Sequence, residues 1–263
     1  MPRKDKFVQK LEAAQPECSN TLASERAQSS IDVSNLALHI RGKAELERQE
    51  RILNQLVQHK VFSKDRQANL SRPDRYRLGL ARSKQLIRLQ KEHNWSDDDF
   101  EMAMWLVGEM LPLMLRTMFR TTIKEQASDE QKKHWLPRID NWEIIGTYSQ
   151  TEMGHGSNVR GIELEARYDV QKKEFILHSP TLTSAKWWNG GLGRTANHAI
   201  VMAQLLLPAK EGTFLNLGPH PFVVQIRDLK SFEPLEGIAI GDIGPKLGYA
   251  SMDNGYMLFD QFR

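Results

Sequence analysis

The chain has 263 residues, with 36 Lys and Arg against 33 Asp and Glu, a net charge of +3. With 40% hydrophobic and 26% charged residues it is a globular composition with room for one large or two modest domains, which excludes general disorder. So small a charge surplus gives only a weak mean field and no support for nucleic-acid binding, while the single cysteine, Cys18, closes no internal disulfide and no Cys/His group has zinc spacing.

From Ser30 to about Ile139 the chain is rich in Leu, Gln, Glu, Lys and Arg, with two glycines before Gly108, the composition of packed helices. Ala44 to Lys60 puts Leu46, Ile52, Leu53, Leu56 and Val57 on one stripe. A second helix is predicted from about Asp74, after Pro73. Ser96 reads as an N-cap followed by Asp97, Asp98 and Asp99, carboxylates favoured at the positive end of a helix. That helix is predicted to run towards Phe119 as a central element. Its most apolar part, Met102 to Phe119, is broken by Glu109, Pro112 and Arg116, which argues against a bilayer span. Ser128 and Gln131 form a capping box for a short helix ending near Pro137.

Beyond Glu143 the pattern changes, since most glycines lie there and apolar residues come in short runs. Gly161 to Tyr168 alternates Ile162, Leu164, Ala166 and Tyr168 with charged residues, the period of a half-solvated strand. Further strand-like runs are Glu174 to Leu177, His198 to Leu206, Phe222 to Arg227, Gly237 to Ile240 and Tyr256 to Phe259. The expected architecture is α+β: an all-helical domain over 1–142 and an antiparallel β domain over 143–263. The chain stops at Arg263 directly after a strand-like run, so the β domain is expected to be cut. The charged opening Met-Pro-Arg-Lys-Asp-Lys has no apolar core behind it, which argues for a soluble, intracellular protein.

Several loops carry candidate chemistry. Thr151 to Ser157 is a glycine-rich loop whose backbone can approach a ligand closely, with hydroxyls at Thr151 and Ser157; an ordinary inter-strand turn has the same composition. Gly191 to Ala196 fits G-x-G-x-x-A with Glu211 downstream, but the flanking segments do not read as strand, turn and helix, so a dinucleotide fold is rejected. Adjacent tryptophans, Trp187 and Trp188, would point opposite ways on a strand and leave one to solvent, a partner or a flat ligand. No G-x-S-x-G elbow supports hydrolysis. The histidines at 134, 155, 178, 198 and 220 show no i, i+4 pair of metal-ligand type. Glu152 and Asp253 are conceivable general bases, although carboxylates in such loops more often cap turns or stay solvated.

Taken together, GTYSQTEMGHGSNVRGIE from Gly146, the KWWNGGLGRTANHA segment from Lys186 and GDIGPKLGYASMDNGYMLFDQFR from Gly241 closely resemble the peroxisomal acyl-CoA oxidases, flavoenzymes of the acyl-CoA dehydrogenase superfamily. The T-E-x-G-x-G-S loop at 151–157 is shared across the superfamily, whereas the double-tryptophan segment points to the oxidases. The resemblance covers most of the chain. It implies a helical N-terminal domain, a middle β domain with barrel-like character and a C-terminal helical bundle missing from this chain. FAD would lie between the β domain and that bundle. Thr151 would hydrogen-bond the isoalloxazine, Gly190 would offer its backbone, Trp188 would flank the ring, and Ser157 would lie near the acyl-CoA or the flavin diphosphate. Asn189 stands where the oxidases usually have proline, a departure expected to loosen that turn.

The implied reaction is oxidation of fatty acyl-CoA to trans-2-enoyl-CoA with O₂ reduced to H₂O₂, in a peroxisomal homodimer. The family's catalytic base is a glutamate of the bundle, so no catalytic residue is expected in this chain, which alone is expected to be inactive or nearly so. The chain ends Gln-Phe-Arg where an S-K-L type address is expected. Two rival readings stand beside this one: a non-catalytic module binding a full-length oxidase subunit or a CoA ester, and an acyl-CoA dehydrogenase, against which the double-tryptophan segment argues.

Overall fold

The computed structural model describes residues 22–65, 67–109, 112 and 116–263. Cys18 and part of the expected helix between Met102 and Phe119 lie outside them. By contact density the chain divides into residues 1–51 and 52–263. In the first unit, α1 (Ala23–Gln28) precedes α2 (Val33–Arg41). The Asp32 carboxylate caps α2 by accepting from the Ser34 and Asn35 amides, and Gly42, at φ +80°, ends it. Helix α3 (Lys43–Leu56) follows.

Within 52–263 come α4 (Arg72–Glu92), α5 (Asp97–Val107), α6 (Arg116–Gln126) and α7 (Asp129–Asp140). The Ser71 hydroxyl caps α4, with Pro73 in its first turn, where a missing N–H costs nothing. The predicted Ser96 N-cap and Ser128–Gln131 capping box both form, and at Ser96 the Asp99 side chain completes a capping box that was not foreseen. Two boundaries differ from expectation. Helix α5 stops at Gly108, whose left-handed conformation at φ +69° favours a residue without Cβ. Helix α7 continues past Pro137 to Asp140. Ile52, Leu56, Leu86, Leu89, Trp95, Ala103 and Val107 form one buried core, and none of the described helices is long and apolar enough to cross a membrane.

The β half comprises β1 (Gly146–Ser149), β2 (Glu165–Asp169), β3 (Glu174–His178), β4 (Lys186–Asn189), β5 (His198–Pro208), β6 (Phe214–Gln225), β7 (Ile238–Asp242) and β8 (Gly255–Phe259). The α+β expectation holds, with two refinements. First, the sheets stay open rather than closing into a barrel: one has the order β1-β5-β2-β3 with β6 also on β5, the other β4-β8-β7. Second, pairing is not purely antiparallel, because β1 and β2 each run parallel to β5. Strand β5 is long enough to carry β1 beside His198–Val201 and β2 beside Gln204–Leu206.

The predicted alternation over 162–168 is right in phase, since Ile162, Leu164 and Ala166 are buried. The strand nevertheless begins only at Glu165, because the Glu163 and Leu164 amides donate to the Glu152 carboxylate instead of a ladder. A turn, not a helix, follows Gly191, with the Thr195 and Ala196 amides donating to the Gly191 carbonyl before β5 starts. This agrees with rejecting a dinucleotide-binding motif there.

Helices α6 and α7 lie on the β half through Phe119, Ile123, Ile139, Ile144 and Ile200. The Phe119 ring sits directly over Gly146 of β1, where any Cβ would overlap it. Gly146→Ala is therefore expected to destabilise the protein by about 1–3 kcal/mol through overpacking, read as a lower urea midpoint; an unchanged midpoint would show that Phe119 can move aside freely.

Candidate functional site

A cavity of about 520 Å³ opens where the ends of β1 and β4 meet the segment between β7 and β8. That volume falls within the usual range for ligand pockets. Thr147, Tyr148, Gln150 and Thr151 line it from β1 and just beyond, Trp188, Asn189 and Gly190 from the end of β4. Lys246, Gly248, Tyr249, Met252 and Asn254 close another side, with Met118 of α6. Three of the four residues singled out from sequence, Thr151, Trp188 and Gly190, thus share one wall. Ser157 does not: it is exposed on the glycine-rich loop, its carbonyl accepting from the Val159 amide.

The polar groups on this wall divide into those already engaged and those left open. Thr147 Oγ1 donates to the Gly190 carbonyl at 2.9 Å, fixing the loop after β4 to β1. Among the described residues, the Thr151 hydroxyl and the Gly190 N–H have no hydrogen-bond partner. Asn189 Oδ1 and Asn254 Oδ1 are likewise buried and unpaired. Buried polar groups are ordinarily satisfied, so donors and acceptors left open beside a cavity suit a heterocycle with hydrogen-bonding edges. A flavin ring has that chemistry, and the donor set fits it.

Local backbone explains how Trp188 reaches the cavity. The β4–β8 register shifts between Trp187 and Asn189, and Trp188 adopts φ +60°, a strained value for a bulky residue. Asn254 Nδ2 holds the Trp188 carbonyl at 2.6 Å. The Trp188 indole remains 58% exposed, whereas Trp187 stacks on Tyr256. Asn189 ties the turn to β1: its Nδ2 donates to the Tyr148 carbonyl at 3.1 Å, a bond that a proline side chain has no N–H to make.

Neither carboxylate considered as a base lines the cavity, and both are buried, with Asp253 Oδ1 left without a partner. Asp253 is fully buried, and its Oδ2 accepts from the Arg194 amide, the Thr195 amide and the Thr195 hydroxyl. Burial holds its carboxyl above the usual range against those hydrogen bonds. Glu152, also inaccessible, accepts from the Glu163 and Leu164 amides, contacts His155 Nδ1 at 3.0 Å and pairs with Lys186 Nζ at 3.0 Å. Sequence reasoning missed Lys186 and Asn254, because a lysine inside a strand-like run and an asparagine beside a turn each look like solvated residues.

A second cavity of about 570 Å³ adjoins the first, with Gly248 and Tyr249 belonging to both. Met104, Trp105, Leu247 and Ala250 give it an apolar lining, and Glu109 at its edge is paired with Arg75 and Arg82.

Residues 32–145 match the family model described as acyl-coenzyme A oxidase N-terminal. The chain is 43% identical over 249 residues to peroxisomal acyl-coenzyme A oxidase 1 of Bos taurus, covering 92% of this chain and 37% of that protein. It superposes on Arabidopsis thaliana acyl-CoA oxidase 1 with a TM-score of 0.84 at 37% identity, over 92% of this chain and 37% of the other. Caenorhabditis elegans acyl-CoA oxidase-1, described as complexed with FAD and ATP, gives a TM-score of 0.82 at 35% identity, over 96% and 38%. The chain thus spans less than two-fifths of the length of these proteins.

Removing one partner of a buried ion pair strands the other, at a typical cost of about 3–5 kcal/mol, whereas neutralising both is far milder. Lys186→Met is accordingly expected to lower unfolding free energy by that amount, and Glu152→Gln/Lys186→Met by clearly less. Equal losses in urea denaturation would show that Glu152 is adequately held by its amide donors alone.

Proposed function

The chain belongs to the acyl-CoA oxidase family, and from that premise we propose that its β half provides one face of an FAD site at which an acyl-CoA thioester is oxidised. The observation that carries this reading is the pair of unpartnered donors, the Thr151 hydroxyl and the Gly190 N–H, on one wall of one cavity. Bound FAD supplies the two-electron acceptor for α,β-dehydrogenation to a trans-2-enoyl-CoA, with O₂ reduced to H₂O₂. Thr151 and Gly190 orient the isoalloxazine edge by hydrogen bonds, and the exposed Trp188 indole flanks it. Because Thr147 and Asn189 tie β4 to β1, both groups are held before a ligand arrives, which reduces the cost of ordering them on binding.

The adjoining apolar cavity is suited to the acyl chain, and Ser157, on the exposed loop, to the polar CoA or diphosphate end. Among the described residues no carboxylate lines the first cavity, and Glu152 and Asp253 are buried outside its lining. The base that removes the α-proton is therefore placed in a part of the oxidase other than these residues, and the 263-residue chain alone is proposed to bind flavin without turnover. By the same family argument the working enzyme is peroxisomal and homodimeric.

The test is FAD titration of the purified chain, followed by flavin fluorescence, together with a peroxide assay using a long-chain acyl-CoA. Thr151→Val keeps the shape and removes the hydroxyl; losing one hydrogen bond of about 1.4 kcal/mol weakens binding about tenfold. Unchanged affinity in that variant overturns the assignment of Thr151. Robust peroxide release from the chain alone would overturn the placement of the base.

A further inference from the structure

The Lys186 ammonium is wholly buried and has three N–H groups, each with an acceptor: the Gln150 carbonyl at 3.2 Å, Glu152 Oε1 at 3.0 Å and the Met202 carbonyl of β5 at 2.6 Å. Two of those acceptors belong to the residues immediately before and after Thr151. The Thr151 carbonyl is taken by the amide of Trp187, the residue following Lys186. Residues 150, 151 and 152 are thus each held from residues 186–187, and what remains open on Thr151 is its backbone N–H and the hydroxyl at the cavity wall. An ion pair kept for stability alone has no need of this arrangement, since an apolar pair of similar volume commonly serves as well. The bond to the Gln150 carbonyl adds nothing to the pairing with Glu152; it fixes the path of the chain through Thr151.

We propose that Lys186 is a positioning residue for the Thr151 hydroxyl, so that the charge state of this buried amine sets how tightly the cavity grips the flavin edge. The flavin half of that statement rests on the function proposed above; the bracketing of Thr151 does not. Glu152, on the loop after β1, is the charged group facing Lys186. Behind it stand His155, on the other Glu152 oxygen, and Glu163, 3.8 Å from His155 Nε2. From β5 only a carbonyl faces the amine. Burial pulls the Lys186 ammonium down to about 8 against the attraction of Glu152. On losing its proton the amine keeps two N–H groups for three acceptors, and the longest bond, to the Gln150 carbonyl, is the one released.

Two properties then move in opposite directions above neutrality. An unfolded lysine stays protonated to about pH 10.4, so between about 8 and that value the unfolded chain binds more protons than the folded one at this position, and stability from this group rises with pH. Flavin affinity falls across the same interval as Thr151 is released. A merely structural lysine would not separate the two.

The experiment uses the full 263-residue chain with ¹³C-labelled Lys Cε and Thr methyls. The expected result is that the Thr151 methyl shift follows the Lys186 titration with the same midpoint, and that the FAD dissociation constant rises threefold to tenfold from pH 7 to pH 9. In Glu152→Gln/Lys186→Met, affinity at pH 7 is expected to be lower by a similar factor and flat over that range, which also controls for titration of the flavin itself. A Thr151 methyl indifferent to Lys186 overturns the bracket whatever the flavin does. A methyl that follows Lys186 in a chain that binds no FAD sustains the bracket and defeats the flavin reading. Wild-type affinity that stays level while Lys186 titrates, or a double variant that binds as the wild type does, overturns the link between them.

Discussion

The Glu152 side chain is fully buried, yet it joins three pieces of chain, residues 152–155, residues 163–164 and Lys186. Its oxygens accept from the amides at 163 and 164, contact His155 and pair with Lys186. An ionised carboxylate in such a place is tolerable only when every lone pair is used, because burying an unpaired charge is among the costliest changes a fold can suffer. The loop from 152 to 164, the start of β4 and, through the Met202 carbonyl, the middle of β5 are therefore tied in one mutual arrangement. The glycine-rich loop takes its shape from this node, with Gly154 permitting the close approach of Thr183.

The helical segments after residue 52 are bound to the β half by a second polar system. Arg72 of α4 donates to both oxygens of Asp242 in β7, and Arg194 reaches the same carboxylate. Four residues along α4, the Tyr76 hydroxyl meets Thr195, itself bonded to Asp253. Burial and the nearby Asp253 charge raise the Tyr76 hydroxyl to about 12, so it stays a neutral partner under any ordinary condition. The buried Arg227 guanidinium donates to the carbonyls of Leu192, Gly193 and Ala196. The turn that follows Gly190 is thus held from a helix, from β8's approach and from below, which leaves little freedom to the backbone N–H at the cavity.

Much of this was legible from the residues. The N-cap at Ser96 and the capping box at Ser128 are local signals, decided by side chains within three residues, and the alternation at 162–168 is fixed by which face meets the core. The convergence of Thr151, Trp188 and Gly190 rested on family resemblance, not on spacing. What escaped reading is non-local. Nothing within 146–149 announces a parallel partner fifty residues on. Hydrophobicity alone carried α5 past Gly108, although a glycine followed by Pro112 is a stop signal in its own right. Asn189 was judged from its backbone, whereas its contribution comes from a side-chain amide reaching a strand that sequence does not place beside it.

Tyr249 and Gly248 are the common partition of two chambers. Tyr249 sits at φ +53°, where a residue with a large ring has few alternative backbone states, so neither chamber can be enlarged or narrowed at that point without reshaping its neighbour. Substitutions that retune one compartment are felt in the other, and sequence drift at this position is coupled to both. Resizing the apolar chamber alone falls to residues that line it and not its neighbour, Met104, Trp105, Leu247 and Ala250 among them.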